Sequence, residues 1–134
     1  MTPDQIIYTH IKDNLTYTGA FRYGNAKGSE APYIIMLKVA DLETPDTLCV
    51  DYGDQGEALF QFSAYTEGGT LAIQEYLQAF KIQVADLKGT LGAGANLLQI
   101  WYNETGGVRL LNDGQSTEVI WGAIFETTLR WRYV

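Results

Sequence analysis

Cysteine occurs once in these 134 residues, so Cys49 has no partner for an intrachain disulfide. In the run Thr47-Leu-Cys-Val-Asp51 it reads as a small core hydrophobe. Histidine also occurs once, at His10 on a predicted helix. With no second His and no Cys beside it, that imidazole lacks the partners that base catalysis or metal ligation would require. Ser29, Ser63, Ser116 and Cys49 do not lie in a nucleophile-elbow context, so a Ser/His or Cys/His system has no foundation. Basic side chains are scarce and scattered, nine against sixteen acidic, for a net charge of −7. Such a chain repels phosphate backbones, which disfavours direct nucleic-acid binding. There is no apolar run near the ~20 residues of a membrane span, and no charged segment leads into an apolar one. The expectation is a protein made in the cytoplasm, with no membrane partner.

What the chain does have is apolar and aromatic residues, 46% and 13% of the total, including nine Tyr and three Trp. That composition suits a single globular domain over residues 1–134 and fits β-structure and interfaces alike. The clearest pattern runs from Thr117 to Val134. Odd positions Val119, Trp121, Ala123, Phe125, Leu129, Trp131 and Tyr133 are apolar or aromatic, while Glu126, Thr128, Arg130 and Arg132 alternate with them. Period 2 means a strand with one buried face. Its full length would be roughly 55 Å, beyond the usual ~3–10 residues, so it should bend at Gly122 or send one end out to pair elsewhere.

Two helices stand out. Thr2-Pro3-Asp4-Gln5 carries a Thr-x-x-Gln capping box with Pro at the first helical position, and Ile7, Ile11 and Leu15 then form a stripe, with Gly19 as a stop. Ile73, Tyr76, Leu77, Phe80 and Val84 mark a second helix, capped by Thr70 and ending between Gln83 and Leu87. Strands are expected over Tyr33–Val39, Ala58–Thr66 and Leu97–Tyr102, the last with Val108–Leu111 as its short return after the Thr105-Gly-Gly107 turn. Phe21 to Ala31 and the Gly/Ala-rich stretch Gly89 to Asn96 are expected to be loop and mobile linker. The order argues an α+β fold: an antiparallel or mixed sheet, two helices on one face, and a long C-terminal strand.

The glycines at Gly92 and Gly94 do not form a phosphate cradle, because the spacing is wrong and no Lys-Ser/Thr follows. Asp41, Glu43, Asp46, Asp51, Asp54 and Glu57 place six carboxylates in one segment with no Lys or Arg among them. A divalent cation takes oxygen ligands, but this spacing does not match a calcium loop. The plainest reading is a solvated acidic loop, followed by a charged contact with a basic partner. No cofactor is called for.

The capped first helix, the Ala31-Pro-Tyr-Ile-Ile-Met-Leu37 strand, the acidic turn-rich segment, the Leu59-Phe-Gln-Phe-Ser-Ala-Tyr-Thr66 strand running into a helix near Thr70, and the terminal Thr127-Thr-Leu-Arg-Trp-Arg-Tyr133 strand follow in a familiar order. This succession is similar to the tail terminator (tail completion, head-tail joining) proteins of long-tailed bacteriophages. The resemblance implies a non-enzymatic virion subunit forming a hexameric ring on the head-proximal end of the tail tube. The ring would stop tube polymerisation and present a surface to a neck protein, while DNA passes without specific binding. Free subunits can be monomeric until the tube end induces closure. On this reading the segment from Asp41 to Glu57 lines an interface or channel, and Arg130, Trp131, Arg132 and Tyr133 belong to an inter-subunit strand. Alternatives are another head-completion connector of the neck or, from a different class, a small ligand-binding α+β module with an aromatic pocket.

Overall fold

The computed structural model describes residues 2–26, 28–42, 55–112 and 119–134. Helix α1 (Pro3–Asn14) begins as its sequence demands: the Thr2 hydroxyl accepts from the Gln5 amide, and the Gln5 side chain accepts from the Thr2 amide. Two orphan donors of the first turn are thereby satisfied. Ile6, Ile7 and Ile11 are buried, and Leu15 closes the helix in extended conformation.

Gly19 follows at φ 86, where a Cβ would lie 1.8 Å from the Pro32 carbonyl oxygen, so only glycine fits the crossing. The segment expected to be a loop then opens with a strand, β1 (Ala20–Tyr23), paired in parallel with β2 (Tyr33–Leu42). Four residues are too few for an alternation to be visible in the sequence, and only the pairing partner defines them. β2 runs antiparallel to β3 (Gln55–Glu67), with a bulge between Lys38 and Ala40. Helix α2 (Gly69–Ala85) starts from Gly68 in left-handed conformation without a side-chain cap, so Thr70 lies inside the first turn rather than at the cap.

The Gly/Ala-rich stretch is ordered rather than a linker. It forms β4 (Gly89–Ala93), which folds back on β5 (Asn96–Thr105) as an antiparallel hairpin. The short return β6 (Arg109–Leu110) pairs with the final strand β7 (Ile120–Tyr133) and not with β5. β7 matches β3 without interruption from Ile120–Glu67 to Arg132–Gln55, so the pairing continues through Gly122 and the strand stays within the sheet. Gly122 instead makes room for a ring: Tyr65 lies over it, and a Cβ there would approach that ring to 2.8 Å.

The described strands form one mixed, curled sheet in the order β1-β2-β3-β7-β5-β4, with both helices packed on one face. The alternation foreseen for β7 is present, and β3 shares it: Ala58, Phe60, Phe62 and Ala64 are buried beside Ala123, Phe125 and Leu129. Phe62 and Phe125 stack at 5.1 Å, and Phe80 of α2 meets both rings. Ile73, Leu77 and Val84 complete the α2 stripe against this floor. Burying each such side chain contributes about 1.5–3 kcal/mol, which outweighs the modest intrinsic preferences of the helix.

Candidate functional site

Of the acidic set, Asp41 and Glu57 are described, while Glu43, Asp46, Asp51 and Asp54 lie outside the described residues, as does Cys49. Neither described carboxylate stands alone. Asp41 lies 3.1 Å from the Lys38 ammonium, which also meets Asp4 at 3.2 Å. Burial pulls the Lys38 pKa down, but the hydrogen bonds to Asp41 and Asp4 outweigh it and leave it raised. Glu57 is largely buried against Arg130, with Nε donating to Oε2 at 2.9 Å. The Arg130 guanidinium in turn covers the Tyr102 ring at 4.7 Å, and the Tyr102 hydroxyl donates to Glu104 at 2.6 Å. The two residue groups singled out in the sequence, acidic segment and terminal strand, therefore meet in one cross-strand row. There the Glu57 carboxylate is ion-paired with Arg130 rather than bare.

The terminal residues sit differently from the expected pairing strand. β7 has β3 on one side and β5 on the other through Arg130, Trp131 and Arg132, and Tyr133 pairs with β5, so from Arg130 to Arg132 its backbone has no open edge for another chain. The long alternating pattern belongs to the middle of the sheet, where both neighbours come from the same molecule. Trp131 and Tyr133 meet edge to face at 5.7 Å and pack on the core. Arg132 points to the helix-free face, donating from Nε to Gln99 Oε1 at 2.8 Å.

That helix-free face is partly apolar. Tyr33 and Tyr65 stack at 5.0 Å, Ile124 and Ser63 are buried between neighbouring strands, and Leu37 and Ile120 are exposed.

The two ends of the sheet are finished in unlike ways. At the β1 end, the Tyr8 hydroxyl donates to the Phe21 carbonyl at 3.0 Å. Where β2 runs past β1, the Tyr23 hydroxyl donates to Asp4 at 3.1 Å and accepts from the Lys38 backbone amide. The segment leading into β1 is strapped to α2 as well. The Gln83 amide both accepts from the Thr16 N–H and donates to the Thr16 carbonyl, each at 2.6 Å. Tyr76 donates to the Thr18 carbonyl, and burial, aided by nearby Tyr17, pushes its pKa up to about 12.

At the β4 end, Leu91 points inward and is buried, while Gly89, Thr90, Gly92 and Ala93 are exposed. Apart from the pairing with β5, no hydrogen bond to β4 is made among the described residues. Beside this edge opens a cleft of about 410 Å³, walled by Ile6, Thr9, His10, Asp13 and Asn14 of α1 and by Asn96. Burial pulls the His10 pKa down, partly opposed by Asp13, and its side chain lies 3.4 Å from the Asn14 amide nitrogen. Nothing in the sequence pattern pointed to this cleft, because its walls come from elements more than seventy residues apart and its rim is glycine and alanine. Among the described residues no group of three or more His, Cys, Asp or Glu gathers where a metal ion could be held, and no helix is long and apolar enough to cross a membrane.

No protein-family model matches this chain, and no curated protein matches it either. A solved structure whose designation carries no functional meaning is similar over 100% of this chain and 97% of its own, with 11% identity and a TM-score of 0.56. That likeness shows a shared fold and nothing finer.

Proposed function

We propose that this chain is a structural subunit of a phage tail, a terminator that rings the head-proximal end of the tube and halts its growth. The observation that carries the reading is the order of elements: capped helix, short edge strand, antiparallel strand pair, second helix, hairpin and long final strand. The sheet supports it too, since a subunit that must touch neighbours on two sides needs surfaces of different kind. A helix-free face with apolar and charged rows and two unlike sheet ends supply such surfaces. Tube protein, a neck protein and further copies of the chain are the partners, and DNA passes through the ring without specific contact. Side chains of the helix-free face, not the backbone of β7, would carry contacts near Arg132.

Complementation tests the reading directly. In a phage lacking its terminator, this chain should restore tails of fixed length, seen by negative-stain microscopy. Overlong tails that persist despite expression, or tubes that show no added ring, would remove the proposal.

A further inference from the structure

We infer that the outer edge of β4, together with the cleft between it and α1, receives an extended segment of a partner protein that carries a Lys or Arg side chain. A strand with one unpaired side is a template for another chain, and β4 closes its end of the sheet. Its exposed positions are Gly89, Thr90, Gly92 and Ala93, so no bulky side chain hinders a second backbone. Gly89 and Gly92 stand at positive φ, outside regular strand geometry, so the edge takes only a short paired stretch of a guest.

Alternate side chains of an added strand point to the helix side, which here is the cleft. Ile6 forms an apolar wall for an aliphatic stem, and Asp13 supplies a carboxylate for its cationic head. Among the described residues no Lys or Arg lines the cleft, and burial of His10 favours its neutral form. The net charge of −7 further favours a basic occupant. Docking at this edge holds independently of the virion role proposed above, and a failed complementation would leave it intact.

The probe is a fluorescein-labelled peptide of about ten residues alternating Val and Lys, with a Val and Glu counterpart as control. Anisotropy measures affinity, and amide spectra with hydrogen exchange locate the site. The Val-Lys peptide should slow the Thr90 and Gly92 amides, which face away from β5, and the control should bind at least about tenfold more weakly. Asp13→Lys should weaken binding about tenfold or more, with Asp13→Asn intermediate; circular dichroism checks that both variants are folded. Thr90→Lys should abolish the β4 protection. Equal affinity for both peptides, no binding at about 1 mM, or shifts confined to β1, β2 or the helix-free face would each overturn the inference. So would light scattering that shows a dimer with β4 amides already protected, because a second copy would then own the edge.

Discussion

The β1–β2 end of the sheet and the β4 end meet the same physical problem with different means. At the first, Tyr8 and Tyr23 set hydroxyl groups on the outward backbone, Lys38 is held between two carboxylates, and a bulge interrupts β2. These are devices that stop strand addition. At the second there is a five-residue strand with no charged side chain and no hydroxyl laid along it. An edge closed by side chains is committed to the fold, whereas an edge left bare remains able to bind. The backbone edge open to strand addition therefore lies at β4, away from the long terminal strand.

The contrast is most severely tested at Gly19. Gly19→Ala places a Cβ against the Pro32 carbonyl at a positive φ and should cost about 3 kcal/mol or more, read from urea unfolding, with β1 amides exchanging early. Gln83→Ala removes two hydrogen bonds from the Thr16 backbone and should cost about 2 kcal/mol, while β4 exchange stays unchanged. Tyr8→Phe leaves the Phe21 carbonyl to water and should cost about 1 kcal/mol in the same assay.

A pH series isolates one fastening of the closed end. The folded-state pKa of Tyr76 is raised from 10.0 to about 12, so its contribution is whole below pH 10 and is lost as pH climbs toward 12. Tyr76→Phe should flatten that part of the stability profile; an unchanged slope would detach Tyr76 from the strap. Smallest of all, Thr90→Lys should alter stability by no more than about 0.5 kcal/mol, since the side chain is exposed and no hydrogen bond rests on it. A large loss there would mean that the β4 edge is structural rather than bare.

Much of the fold could be read from local pattern. The Thr2–Gln5 box with its Ile stripe, the Ile73–Val84 stripe, and the alternation of β3 and β7 each declare themselves within a dozen or so residues, since a helix or strand repeats its buried side every 3.6 or 2 positions. The candidate surfaces were far less legible. Period 2 in residues 120–133 identifies a strand with one buried side, but not whether its neighbours belong to the same molecule. A strand in the middle of the sheet and one that pairs with another chain carry the same pattern. β1 is too short to show a period, and Gly89–Ala93 resembles a linker because glycine and alanine bear no patterned side chains.

Two capped or striped helices, five strands, an α+β class and an acidic balance were written in the order of residues, since each is a property of near neighbours. The pairing of β6 with β7, the meeting of Glu57 with Arg130, the tyrosines that close one sheet end and the open edge beside α1 exist only once the chain is folded. The reason is range: backbone pairing and ion pairing link residues tens of positions apart, and their register depends on how the sheet curls.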